Sequence, residues 1–269
     1  MDQQENDDYS REQQWKHFEK TFLNYNELPQ QEQVEYFVKK IKEIEALSLE
    51  SKRFHFLLDH KKFYPRYVSQ NVAKESGYTS EYLDQQNLLF IFKNLHWSHI
   101  TMPAKVHIWG NKCHKKYGHL YKPGTVKTHF CGLKLKDKWG NWRSMIFSQQ
   151  LLTFSKNRKP LLSYVEAEEI TAFHQSNTLW YRIQIETEYD PIVKVFFNNT
   201  NKKEASELLS KRELEILKLS AQHKTNIEIA ENLGISKNTV ERHRKNMLAK
   251  TGVTNMVGLL RVAQIVNLI

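Results

Sequence analysis

The chain has 269 residues, of which 40% are hydrophobic and 12% aromatic, enough for a packed core and against wholesale disorder. Lys and Arg number 40 against 30 Asp and Glu, a net charge of +10. Two cysteines, Cys113 and Cys131, exclude a disulfide framework. The acidic start Met1–Asp8 does not read as a signal peptide, and the longest apolar run, Leu88–Phe92, is too short to span a bilayer. The expectation is a soluble, cytoplasmic protein in a reducing compartment.

Residues 1–52 carry a net charge of −5 and read as amphipathic helices. Trp15, Phe18 and Phe22 recur at helical spacing, as do Val34, Phe37, Ile41 and Ile44. Asn26–Pro29 separates the two stripes. From Arg53 the texture changes. Phe54–Leu58 and Phe63–Val68 read as short strands joined at Asp59–Lys62. Small helical pieces follow, broken at Gly77, then less regular helices over Leu88–Trp97 and Ala104–Tyr117. Strands are expected over Lys127–Lys136, Trp142–Leu152 and Leu161–Phe173. Two more, Leu179–Glu186 and Ile192–Phe197, flank Asp190–Pro191 as a hairpin. The polar, non-periodic stretch 198–203 reads as a linker. The division is therefore 1–52, 53–197, 198–203 and 204–269.

The order of elements in 53–197, strands, small helices, then a strand meander, resembles a PAS sensor domain. Tyr67–Val72 and Gly77–Leu83 carry the likeness in the second strand and first small helices. Glu168–Thr171 carries it in the final strand. PAS domains commonly bind a small molecule or mediate dimerisation, so the resemblance implies an unidentified small-molecule ligand or a dimer contact.

Residues 204–269 hold the densest local signals. Ser210 and Glu213 form a capping box, with Leu209 and Leu214 at the hydrophobic-staple positions. Thr225 and Glu228 form a second box, opening a helix that Gly234 ends. Ser236 caps a third helix, running to about Lys250. Two short helices across a glycine-containing turn make a helix-turn-helix over 226–245. Val240, His243, Met247 and Leu248 lie along one face of the third helix. Lys237, Asn238, Glu241, Arg242, Arg244 and Lys245 populate the rest, a net basic surface suited to a major groove.

The segment resembles the LuxR-type DNA-binding domain. The matching residues are Leu209–Glu213, Leu217, Asn226, Glu228–Ala230, Leu233–Ser236, Thr239, Val240, His243 and Lys250, in register without gaps. His223 stands where the family usually has Gly, and Thr251 where it usually has Leu. The resemblance implies double-stranded DNA as partner, contacted by Thr225, Asn226, Lys237, Asn238, Thr239, Glu241, Arg242, Arg244, Lys245 and Lys250. It also implies a fourth helix, about Thr254–Val266, that pairs two copies into a homodimer through Met256, Leu259, Leu260 and Ala263. RNA polymerase is a further expected partner.

The fold class expected is α+β: amphipathic helices, a PAS-like antiparallel sheet with small helices, and an all-α four-helix domain. The function expected is a one-component transcription regulator. The rival reading is a protein-interaction module whose C-terminal helices recruit a partner rather than DNA. No phosphate-binding glycine loop, nucleophile elbow or kinase motif set is present, so no catalytic residue is expected. His114, His119, His129, Cys113 and Cys131 lack tight ligand spacing, and the Asn-Cys-Arg-Phe pattern of flavin-binding PAS relatives is missing. No metal, cofactor or membrane partner is expected. Residues 105–143 carry ten basic side chains against one acidic, a net +9. That block reads as a solvated face over an aromatic core. Its functional alternatives are an anionic ligand, DNA flanking the target site, or docking on 1–52.

Overall fold

The computed structural model describes residues 29–47, 52–61, 64–197 and 207–269. The helical stripe expected around Trp15–Phe22 and the linker 198–203 lie outside the described residues. The second N-terminal stripe is a helix, α1 (Gln31–Leu47). Its buried Val34 and Ile41 share a cluster with Leu57 and Leu162. Glu45 Oε1 accepts the Gln70 amide at 2.7 Å, and Glu45 also accepts the Tyr67 hydroxyl, which pins the helix to the sheet.

The middle of the chain holds β1 (Arg53–Asp59), β2 (Tyr64–Val68) and three short helices: α2 (Val72–Ser76), α3 (Ser80–Leu83) and α4 (Leu88–Asn94). The longer α5 (Met102–Tyr117) follows, then β3 (Val126–Lys136), β4 (Trp142–Phe154), β5 (Pro160–Glu169), β6 (Trp180–Ile185) and β7 (Ile192–Phe197). The strands form one antiparallel sheet in the order β2-β1-β5-β4-β3-β6-β7. The first five strands, with small helices between β2 and β3, are PAS-like; β6 and β7 extend the β3 edge as a hairpin. Asp137 shapes the β3–β4 turn, its Oδ1 accepting the amides of Trp139 and Asn141 at 3.0 and 2.8 Å.

One expected strand stops short. Leu161–Phe173 is extended only to Glu169. Ile170 is fully buried among residues of the sheet and the C-terminal domain, and the Phe173 and His174 amides turn back to its carbonyl. Burial beneath the C-terminal unit overrides the strand pattern there.

Alternation along the strands separates two faces. The inner face carries Phe54, Phe56, Thr128, Phe130, Phe147, Gln149, Tyr181 and Ile183, which line a cavity of about 520 Å³ closed by α4 and α5. The outer face carries Leu57 under α1 and Cys131, Ile146 and Trp180 under the C-terminal helices.

Within the basic block, Lys105, Lys112, Lys115 and Lys116 are exposed on α5. Trp109 and Tyr121 are core. Trp139 and Trp142 depart from the core expectation, at 65% and 37% exposure, because Trp139 lies in the β3–β4 turn and Trp142 is the first residue of β4, at the end of the hairpin. Cys113 and Cys131 are buried in separate clusters. Among the described residues, no group of three or more His, Cys, Asp or Glu is placed to hold a metal.

The C-terminal unit has four helices: α6 (Lys211–Ala221), α7 (Asn226–Leu233), α8 (Lys237–Thr251) and α9 (Met256–Ile265). Ile216, Leu217, Ile229, Val240, Met247, Leu259 and Val262 are fully buried in its core.

Candidate nucleic-acid interface

Helix ends set the geometry of this unit. Ser210 caps α6, its hydroxyl accepting the Glu213 amide while Glu213 Oε2 accepts the Ser210 amide at 2.7 Å. Thr225 and Glu228 repeat the arrangement on α7, again with a 2.7 Å return bond. Gly234 ends α7 at φ 61°, a left-handed conformation that costs glycine little. Ile235 N then donates to Ala230 O at 3.0 Å, and Ser236 caps α8 by accepting the Thr239 amide at 3.1 Å. His223, the departure from the family pattern, takes φ 62° in the α6–α7 turn, so the backbone keeps the shape glycine would give it. Thr251, the other departure, is fully buried and its hydroxyl donates to Met247 O at 2.8 Å.

Val240 and Met247 pack inward, which turns Lys237, Asn238, Glu241, Arg242 and Lys245 outward. Asn238, Arg242 and Lys245 make no hydrogen bond or ion pair among the described residues. Glu241 lies between Lys237, at 3.7 Å, and Asn226 Nδ2 at the start of α7, at 3.5 Å. The N-terminal residues Thr225 and Asn226 of α7 thus adjoin the exposed face of α8. Thr239 is turned into the cap, its hydroxyl 2.9 Å from Ser236 Oγ.

Two of the expected DNA contacts are engaged within the unit. Arg244 Nη2 donates to Ser220 Oγ of α6 at 2.9 Å. Lys250 Nζ donates to Glu213 Oε2 at 2.6 Å, closing the first capping box from the far end of α8. Burial alone would raise the Glu213 carboxyl. The bonds from Lys250 and Ser210 outweigh it and hold the group below the usual carboxylate range. Both basic side chains tie α8 to α6.

The GerE family model, "Bacterial regulatory proteins, luxR family", matches residues 207–263. This segment is a LuxR-type helix-turn-helix domain. Over 60 residues the chain is 48% identical to the transcriptional regulatory protein MctR of Rhizobium johnstonii, covering 22% of this chain and 28% of MctR. The chain therefore spans little more than a quarter of that relative. Among solved structures, the VqmA dimer of Vibrio cholerae is 15% identical over 83% of this chain and 86% of that one, with a TM-score of 0.31. A PAS domain of a two-component sensor histidine kinase is 17% identical over 49% and 97%, with a TM-score of 0.33.

Of the four expected pairing residues of the LuxR-type domain, Leu259 and Ala263 are fully buried, while Met256 and Leu260 are half-buried. Sequence reasoning missed the residues that hold this domain against the sheet. Arg261 meets Glu168 through two nitrogens at 2.8–3.0 Å, and Trp180 and Arg182 donate to helix-end carbonyls. Arg182 alone left a trace, the one charge in β6.

Proposed function

We propose that the chain is a DNA-binding transcription regulator whose LuxR-type domain reads duplex DNA with α8. The observation that carries this reading is the open face of α8, where Asn238, Arg242 and Lys245 stand without internal partners beside Lys237. Arg and Asn match the donor and acceptor edges of bases, and lysines and the α7 N-terminus hold phosphates. Two copies on a roughly two-fold site would supply the affinity that one short helix lacks. RNA polymerase is the further partner such a regulator works on. The reading implies the cytoplasm as its compartment and assigns no catalytic step. Among the described residues, no helix is long and apolar enough to cross a membrane.

The PAS-like domain is the sensor in this reading. Its cavity is lined mainly by aromatic and aliphatic side chains, with a neutral polar network on one wall and Glu75, Lys136, Asp137, Arg143 and Lys159 also in the lining. Thr128 donates to Gln149 Oε1 at 2.9 Å, Gln149 donates to Ser163 Oγ at 2.6 Å, and His60 Nε2 lies 2.9 Å from the same hydroxyl. Burial keeps His60 neutral, its pKa lowered to about 4. The cavity suits a small, largely apolar molecule.

A fluorescence-anisotropy titration of the full chain with duplex DNA, repeated across salt, tests the DNA reading. The expected result is a log–log fall in affinity with salt. Negligible, salt-insensitive binding would favour the protein-recruiting alternative.

A further inference from the structure

The polar and apolar parts of the cavity are separated along the sheet. On β4 the side chains that face it are Arg143, Met145, Phe147, Gln149 and Leu151. Arg143 and Gln149 stand about 20 Å apart along the strand. Between them, Met145 and Phe147 join Phe130, Leu133 and Val165 in an apolar stretch. Gln149 begins a polar region. Besides its bonds to Thr128 and Ser163, its Nε2 lies 3.1 Å from His60 Nε2. His107 and Asn111 of α5 and Lys159 of the β4–β5 turn complete the lining at that end.

The two ends differ in charge. At the β3–β4 end the charged lining is Glu75, Lys136, Asp137 and Arg143, two acids and two bases. Arg143 Nε donates to Asp137 Oδ2 there at 3.0 Å. An anion gains nothing at a mouth whose own charges balance. At the polar end, Lys159 is the one charged side chain of the lining among the described residues. Burial, and then the charge of Lys159, lower the pKa of His107 to about 4, so the ammonium stands near a neutral imidazole. Asp59, beside His60 in the chain, is turned to Arg66 at 2.8 Å and does not line the cavity.

The turn that carries Lys159 is a built one. The Lys159 carbonyl accepts the Ser155 amide at 2.8 Å, and its own amide donates to Ser155 Oγ at 3.1 Å. Arg158 Nη1 donates to Tyr121 O at 2.7 Å, which ties the turn to the chain beyond α5. Lys159 itself is exposed at the rim. A carboxylate beside it keeps water on one side while the chain attached to it is buried, which spares the cost of burying a bare charge.

We propose that the cavity takes an unbranched amphipathic monocarboxylate, with its carboxylate at Lys159 beside His107 and its alkyl chain running past Gln149 and Phe147 towards Met145. The proposal deepens the reading of the cavity as a ligand site and rests on it. The apolar stretch supplies affinity through burial of the chain, and the single cation sets which end enters first. The chain length is bounded, because a longer tail meets the Asp137–Arg143 ion pair.

Isothermal titration calorimetry of the full chain with decanoate, decanol and butyrate tests this, repeated on Lys159→Met and Lys159→Arg. The side chain is exposed, so neither substitution disturbs the core. Decanoate is expected to bind at least about tenfold tighter than decanol, which lacks the charge, and than butyrate, which lacks the tail. Lys159→Met is expected to bring decanoate down to the affinity of decanol, and Lys159→Arg to keep the difference. Decanol binding as tightly as decanoate to the unsubstituted chain would overturn the proposal and leave the cavity a site for neutral ligands. A difference that survives Lys159→Met would overturn it as well. Binding of none of the three would overturn both the proposal and the ligand-site reading beneath it.

Discussion

The two domains differ in whether they bury histidine. The PAS-like domain encloses neutral histidines beside paired carboxylates, Asp59 with Arg66 and Asp137 with Arg143. Burial lowers the pKa of His60, His99, His107 and His174 to about 4, and that of His129 to about 3. The LuxR-type domain buries no histidine among the described residues, and its one buried carboxylate, Glu213, is bonded to Ser210 and Lys250. Between about pH 6.5 and the carboxylate range, a fall in pH protonates unfolded histidines and leaves carboxylates ionised. The comparison teaches that acid should separate the domains.

The sign follows from linkage. Each of these histidines has a folded pKa below its unfolded value near 6.5, so the unfolded chain binds the proton first as pH falls. Their stabilisation is complete above about pH 6.5 and is lost as pH falls towards 4, at up to about 1.4 kcal/mol per pH unit for each titrating group. Glu213, with a lowered folded pKa, keeps its contribution above the unfolded value near 4.5 and loses it only below that. Calorimetry between pH 7 and pH 4 is expected to show the transition of the PAS-like domain falling steeply while the LuxR-type transition holds. Parallel loss of both would break the comparison.

A smaller effect sharpens it within one helix. Arg242 and Arg244 are two residues apart on α8. Arg242 is exposed, and Arg244 is half-buried against Ser220. Arg242→Ala is expected to cost about 1–3 kcal/mol of DNA affinity on a cognate site and to leave the melting temperature unchanged. Arg244→Ala is expected to lower the melting temperature of the LuxR-type domain, since it removes an α6–α8 tie. Equal effects on stability would show that the two arginines are not divided between surface and scaffold. Paired anisotropy and calorimetry read both quantities.

The same contrast explains what was legible in the chain. The signals of the LuxR-type domain act over three or four residues: Ser210 with Glu213, Thr225 with Glu228, and Gly234 at a helix end. Capping boxes, the Ser236 cap and the apolar stripe around Val240 therefore located three helices closely, and the family resemblance supplied the fourth. The strands of the PAS-like domain were legible from alternation, and β6 and β7 from the turn at Asp190–Pro191. The extent of β5 was not. Ile170 and Phe173 keep a strand-like pattern, yet their burial depends on α9, about ninety positions away in the chain. The site was legible by composition and less so by residue. Lys250 and Arg244 have the right chemistry for DNA, and only the fold reveals Glu213 and Ser220 as their partners. Docking of the domain on the sheet was not legible, because Glu168 and Arg261 stand 93 residues apart with no local signature.

The central claim is that the open face of α8, not bulk positive charge, meets DNA. Lysine acetylation footprinting of the full chain, read by mass spectrometry with and without duplex DNA, tests it most directly. The account predicts that Lys237 and Lys245 lose reactivity on DNA, while Lys105, Lys112, Lys115 and Lys116 on α5 keep theirs. Protection of the α5 lysines with Lys237 and Lys245 still reactive would contradict it.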